Sequence, residues 1–157
     1  MEKEAQLLPD EKKEPLHGAL VLTLYLLGFR ATIMANTMLL MPLDDSSMWF
    51  DGLLSGGLNL WLLIAIYRFM HLKATGFWQM IGIMGAIILF NLFASSSANE
   101  YSFSEEMGSS GILSTTYLYD AGIMVFFLVA ILLLMPLKKN GRNAYDVILN
   151  EEKSAEE

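Results

Sequence analysis

The apolar positions of this chain fall into four long runs, each separated from the next by a polar segment. About 20 mainly apolar residues are enough for an α-helix to cross the roughly 30 Å hydrocarbon core of a bilayer. Each run reaches that length and contains few charged residues. The pattern predicts an all-α protein, a four-helix transmembrane bundle of up-and-down order. The predicted spans are 18–41, 52–72, 77–95 and 116–137.

The segments between the runs predict the orientation of the chain in the membrane. Segments 43–51 and 96–115 contain aspartate or glutamate but no lysine or arginine. Lys73 lies in the short turn between the second and third runs, and both terminal tails contain lysine. Because basic residues collect on the cytoplasmic side, both termini are predicted to be cytoplasmic. The predicted domains are an acidic and polar tail (1–17), a transmembrane domain (18–137) and a C-terminal tail (138–157).

Composition narrows the classes of partner and of site. The chain has 157 residues, of which 54% are hydrophobic, and a formal net charge of −7 that is concentrated in the tails and loops. An acidic protein lacks the basic surface that nucleic acid requires. There is no cysteine, which excludes disulfides, thiolate metal sites and a cysteine nucleophile. The predicted partners are the lipid bilayer and a membrane protein or a second copy of the chain, with no nucleic acid.

Arg30 is the residue in the apolar runs that most needs a partner. It lies twelve residues after Gly18, or about 18 Å along a helix at a rise of about 1.5 Å per residue. An arginine at that depth is expected to face the bundle interior and to pair with a polar group. The other three runs each place one polar residue at a similar depth, namely Asn59, Asn91 and Asp120. These four residues form a predicted intramembrane polar cluster.

The sequence leaves two interpretations of this cluster open. In the structural interpretation, Arg30, Asn59 and Asp120 pair to fix how the helices associate. In the functional interpretation, the cluster is a ligand, ion or proton site that opens toward the outside. The structural interpretation predicts that Arg30→Leu is tolerated whereas Asp120→Leu harms folding.

Small residues mark the predicted contacts between helices. Gly52, Ser55 and Gly56 follow one another at spacings of three and one on the second span and share a stripe with the asparagine of that span. Gly82 and Ala86 form a similar small face on the third span, and the asparagine of that span is half a turn away from it. Small residues let another backbone approach closely. We therefore predict helix packing at these five positions and a different direction for the third-span asparagine.

No arrangement in the sequence is specific for catalysis, for a metal or for a cofactor. There is no His-Glu-x-x-His pattern and no glycine-rich loop followed by lysine and a hydroxyl residue. The paired acids at positions 44–45 and 105–106 lie in predicted outer loops, where they are interpreted as solvated charge. Eight of the eleven methionines are scattered over the four spans, and the methionines are interpreted as packing residues. The prediction is that the chain has no catalytic residue, no metal ligand and no cofactor.

Two segments next to the membrane resemble a known group of proteins. One is Leu72–Trp78 at the predicted turn, and the other is Lys138–Leu149, which begins with a Lys-Lys-Asn-Gly turn and contains Tyr145. Together they resemble small four-helix integral membrane proteins of unknown function from bacteria of the Bacteroides type. The likeness covers the spans and the proximal tail but not the acidic N-terminus. It implies a multi-pass protein of the bacterial inner (plasma) membrane, and it implies no activity because none is established for that group.

Three classes of function are compatible with these observations. The leading expectation is a non-enzymatic membrane protein that acts through association with a membrane partner or with itself. The alternative is a small oligomeric transporter or channel with a polar site around Arg30 and Asp120. It would need to be an oligomer because four short helices rarely enclose a path alone. The third is an enzyme acting on lipid, which requires acids and a base that converge at one membrane interface.

Overall fold

Four long α-helices make up most of the chain that the structure describes. They are α1 (Gly18–Leu40), α2 (Trp49–Met70), α3 (Ala74–Tyr101) and α4 (Ser110–Leu134). The computed structural model describes residues 16–40, 49–71, 73–101, 110–138 and 143–146, without the side chains of 49, 97–101 and 110–114. Within these ranges the secondary structure is helical, which confirms the predicted all-α four-helix bundle.

The distribution of apolar side chains is that of a bundle in lipid. Each of the four helices is long and apolar enough to cross a membrane. The interior holds closely packed leucine and methionine side chains such as Leu24 and Met84. The outer surface is also apolar, with exposed side chains such as Phe29, Phe93 and Phe126. A helix bundle that is apolar both inside and outside is an integral membrane protein, because water would not solvate its outer surface.

The helices pack in chain order. The contacts of α1 with α2, of α2 with α3 and of α3 with α4 are extensive, whereas α1 and α4 close the ring over a much smaller contact. The starts of α1 and α3 therefore lie at the same end of the bundle as the ends of α2 and α4. We call it the basic end, because Arg68, Lys73 and Lys138 are located there.

The helices extend beyond the predicted spans at the end opposite the basic end. Helix α3 continues to Tyr101, past the predicted limit at 95, and α4 begins at Ser110 rather than at 116. The apolar parts of these helices are Ala74–Ser96 and Thr115–Leu134, close to the predicted limits. Apolar character shows where a helix leaves the hydrocarbon, but the backbone hydrogen bonds continue into the polar residues beyond it. The acids at 44–45 and 105–106 lie outside the described residues.

The basic end is closed by the residues that flank the bundle. The backbone N–H of Ala144 donates to the carbonyl oxygen of Met135 at 3.2 Å, which brings the chain after α4 back against the bundle. Asn143 Oδ1 accepts a hydrogen bond from the N–H of Asp146 at 2.8 Å and caps a short helical turn over 144–146. Ala144 and Leu16 are both buried in the core cluster. The packed core therefore extends to this end of the bundle.

Candidate functional site

The candidate site is a polar network to which each helix contributes one side chain. Arg30 comes from α1, Asn59 from α2, Asn91 from α3 and Asp120 from α4. Each lies between apolar residues in the sequence of its helix. We call this set the polar network.

Arg30 connects α1 to two other helices. Its Nη1 donates a hydrogen bond to Asn59 Oδ1 on α2 at 3.0 Å. Its Nη2 donates to Asp120 Oδ1 on α4 and forms an ion pair with that carboxylate. The positive charge of the guanidinium is therefore matched by a negative charge within the same network, as an intramembrane arginine requires.

The two asparagines complete the network. Asn91 Nδ2 donates to Asp120 Oδ2 at 2.7 Å, so that both carboxylate oxygens of Asp120 accept a hydrogen bond. Asn59 Nδ2 donates to the carbonyl oxygen of Ser55, one turn earlier on the same helix, at 2.8 Å. This bond directs Asn59 Oδ1 toward Arg30. Three helix pairs, α1 with α2, α1 with α4 and α3 with α4, are thereby joined by hydrogen bonds between side chains.

Burial differs between the amides and the charged groups. Asn59 and Asn91 are only 1% and 3% exposed. The side chains of Arg30 and Asp120 keep 11% and 14% exposure. Arg30 Nε is buried, and no acceptor among the described residues lies within hydrogen-bond distance of it. The network is thus nearly satisfied within the chain, with one donor left over and a small exposed edge on the ion pair.

The structure brings together all four residues that the sequence predicted for the cluster. The expectation that Asn91 points elsewhere is wrong, since Asn91 is buried and donates to Asp120. The backbone oxygen of Ser55 is a member that sequence reasoning missed. The sequence does indicate this contact. In a helix, an asparagine side chain can donate to the carbonyl oxygen four residues earlier, which for Asn59 is that of Ser55.

The predicted helix-packing residues divide into two groups. Gly52, Ser55 and Gly56 are buried, and a Cβ built on Gly56 would lie 2.7 Å from Leu39 Cγ of α1, so this stripe of α2 packs closely against α1. Gly82 and Ala86 are exposed, and a Cβ on Gly82 would meet nothing within 4 Å. The prediction of packing within the bundle is therefore wrong for α3, whose small face points outward.

The described residues do not form a metal site. In the ranges that the structure describes, no three histidine, aspartate or glutamate side chains lie close enough to hold a metal ion. The polar network contains a single carboxylate, and its two oxygens are already occupied by Arg30 and Asn91. The network therefore presents hydrogen bonds within the chain rather than a set of converging ligands.

Comparisons with known proteins assign no family to this chain. No protein-family model, no curated protein and no solved structure matches it. The likeness to small four-helix membrane proteins of Bacteroides-type bacteria therefore stays a prediction from the two juxtamembrane segments. The chemistry of the site is inferred from its own residues.

Proposed function

We propose that this chain is a non-enzymatic membrane protein that acts by associating, within the bilayer, with a helix of a membrane partner or of a second copy. The observation that carries the proposal is the incompletely covered ion pair between Arg30 and Asp120, which keeps 11% and 14% exposure. It joins α1 and α4, the neighbouring helices with the smallest mutual contact. Association at this place would complete the burial of the charges.

The contact between α1 and α4 forms a shallow seam. On α1, Thr23, Arg30 and Met34 are half-buried at spacings of seven and four, so they share one face. On α4, Asp120 and the residues three and seven positions later, Ile123 and Phe127, are also half-buried. We call these six residues the α1–α4 seam. Of the four helices, α4 buries the smallest share of its apolar length, so the helix on one side of the seam is the one that the bundle covers least.

Exposure of this seam to lipid carries a cost that a second helix removes. Charged groups inside a membrane face protein or water rather than lipid, because hydrocarbon solvates them poorly. A helix that lies over the seam would replace lipid at the edge of the ion pair. Apart from Arg30 Nε, the side chains of the network are bonded to one another or to the carbonyl oxygen of Ser55. This favours a role in association over one in binding and converting a substrate.

Photo-crosslinking tests the association. Ile33 on α1 is three residues after Arg30 and 48% exposed, so it flanks the seam. Leu118 on α4 is 50% exposed, and its position two residues before Asp120 puts it on the opposite side of that helix. With p-benzoylphenylalanine at position 33, we expect crosslinked species of higher mass in native membranes, and none with the same group at position 118. A second copy would give twice the mass of 17.6 kDa.

The crosslinking result is decisive in either direction. Crosslinking at position 118 equal to that at position 33 would show random collision in the membrane. Adducts with lipid alone at position 33 would show that lipid covers the seam. Both outcomes contradict the proposal.

A second candidate function is a small oligomeric transporter with its polar site around Arg30 and Asp120. The observation that favours it is the buried Nε of Arg30, a donor without an acceptor in the described part of the chain. An anionic group delivered from water would supply that acceptor. This function requires an aqueous path that reaches the network from the end opposite the basic end.

Cysteine accessibility separates the two candidates, and the chain has no native cysteine to interfere. Ser55→Cys is a near-isosteric change at a buried position one turn from Asn59. We expect no reaction of this cysteine with a small membrane-impermeant thiol reagent, because the network is packed. Asp51→Cys, exposed near the start of α2, should react and serves as the control. Labelling of Ser55→Cys at the rate of the control would instead support the transporter.

The same labelling tests the proposed location. We propose a bacterial inner (plasma) membrane with the basic end, and hence both termini, in the cytoplasm. The support is that every lysine and arginine except Arg30 lies in a tail or near the basic end. Asp51→Cys should react in intact spheroplasts, and Lys138→Cys only after the membrane is opened. The reverse pattern would contradict this orientation.

A further inference from the structure

A second surface of the bundle, between α2 and α3, combines exposed positive charge with an open apolar groove. Arg68 Nη1 on α2 donates a hydrogen bond to Gln79 Oε1 on α3 at 2.9 Å, which fixes where the two helices meet at the basic end. Residues four and seven positions before Arg68, and three and seven after Gln79, lie on the same faces. By this spacing, the residues along the α2–α3 groove are Trp61, Ile64, Arg68, Gln79, Gly82 and Ala86.

The apolar part of this groove has room for an extended hydrocarbon chain. Gly82 and Ala86 are exposed, and a Cβ on Gly82 would meet no atom within 4 Å. The side chains on the α3 side of the groove are therefore small and project little from the helix. On the α2 side, the indole of Trp61 is 53% exposed and Ile64 is exposed beside it. These two side chains project further from the bundle than Gly82 and Ala86 do, and they follow one another along α2.

Among the described residues, the positive charges at the basic end of the groove have no ion-pair partner. Arg68, His71 and Lys73 are exposed there. The hydrogen bond of Arg68 goes to the neutral amide of Gln79, and within the described residues neither Arg68 nor Lys73 forms an ion pair. The sequence from 61 to 86 contains no aspartate or glutamate. An anionic group that bound here would meet two full positive charges in the headgroup region.

We propose that this groove binds an anionic glycerophospholipid from the leaflet at the basic end. Arg68 and Lys73 hold the phosphate and the acidic headgroup, and one acyl chain lies over Gly82 and Ala86 beside Trp61. Charge decides between this occupant and a second copy of the chain. Two copies facing each other through this groove with basic ends together would bring four like charges close, whereas an anionic lipid neutralises those of one copy.

Quenching of tryptophan fluorescence by brominated lipid measures occupancy of the groove directly. The full chain carrying Trp49→Phe and Trp78→Phe keeps Trp61 as its single tryptophan. The probes are phosphatidylcholine vesicles that contain either brominated phosphatidylglycerol or brominated phosphatidylcholine at equal mole fraction. A basic residue near a membrane surface favours anionic lipid by about fivefold (about 1 kcal/mol). We expect phosphatidylglycerol to bind beside Trp61 at least about fivefold more strongly than phosphatidylcholine.

Substitutions in this single-tryptophan background assign the preference to the groove. Arg68→Gln should lower the preference about fivefold, and Arg68→Lys, which keeps the charge, should retain most of it. Lys138→Gln is the matched control, because it removes one exposed positive charge at the same end of the bundle but follows α4. This variant should bind phosphatidylglycerol as the parent does.

Three results would overturn the proposal. Equal quenching by the two brominated lipids would show no selective site. An equal loss of preference in Arg68→Gln and Lys138→Gln would show only diffuse attraction to the basic end. Loss of quenching by both lipids as the protein-to-lipid ratio rises would show that a second copy occupies the groove.

Discussion

Replacing Asp120 with leucine is expected to lower the free energy of unfolding by about 3–5 kcal/mol, the usual loss when one partner of a buried ion pair is removed. Arginine keeps its charge under all conditions in which proteins fold. In Asp120→Leu the guanidinium of Arg30 would remain charged inside the bundle, with the neutral Asn59 Oδ1 as its acceptor. Asn91 would also lose its acceptor on Asp120. The variant therefore leaves a charge and a buried donor unpaired.

The reciprocal change, Arg30→Leu, should be tolerated. A carboxyl group, unlike a guanidinium, can exist without a charge, and Asp120 keeps the hydrogen bond from Asn91. The loss is then that of two hydrogen bonds between helices, or about 1 kcal/mol at about 0.6 kcal/mol each. The two single changes thus differ in how much they lower the free energy of unfolding, although they break the same ion pair.

The double variant distinguishes this explanation from a loss of packing at position 120. Arg30→Leu added to Asp120→Leu removes the unpaired charge, and replacement of a whole buried pair by apolar residues is often neutral. We expect the double variant to regain most of the stability lost in Asp120→Leu. The free energy of unfolding of all three variants is measured by SDS unfolding of the purified protein in mixed micelles, followed by far-UV circular dichroism. Equal tolerance of both single changes, or no recovery in the double variant, would contradict the pairing.

The sequence was sufficient for the spans and for most of the polar network. Apolar length located the four helices because a bilayer requires about 20 apolar residues for each crossing. Depth along those helices then placed Arg30, Asn59 and Asp120 at a common level, where an isolated arginine would be too costly to leave alone. Both arguments depend on the membrane as solvent and need no knowledge of side-chain packing.

The direction in which each α3 residue faces could not be predicted in the same way. Small residues commonly mark helix contacts, which predicts that Gly82 and Ala86 pack against another helix and that Asn91, half a turn away, points elsewhere. The structure reverses both assignments. A helix that is apolar all round has no amphipathic face to orient it. Its rotation is set by partners on other helices. Here Asp120 of α4 accepts a hydrogen bond from Asn91, and Arg68 of α2 donates one to Gln79.

The close approach of the α2 and α3 backbones at the basic end could not be predicted from the sequence either. Gly76 lies in the predicted short turn, and the small-residue pattern that predicts helix contacts falls on other glycines. In the structure a Cβ on Gly76 would overlap the backbone nitrogen of Phe69 and would lie 2.7 Å from the carbonyl carbon of Arg68. The rings of Phe69 and Phe77, with centroids 5.5 Å apart, pack across the same contact. A single missing methyl group thus lets α3 begin directly against the last turn of α2.

Gly76→Ala should therefore destabilise the protein by about 1–3 kcal/mol or more, the range for overpacking a close contact. The added methyl group meets backbone, which cannot rotate away as a side chain could, so α2 and α3 must separate at the basic end. Gly85→Ala on the same helix is the control, because a Cβ there would meet nothing within 4 Å. It should be neutral or stabilising by up to about 1 kcal/mol, the difference in helix propensity. Unfolding in SDS measures the stability of both variants. Equal stability of the two would mean that α2 and α3 do not touch at Gly76.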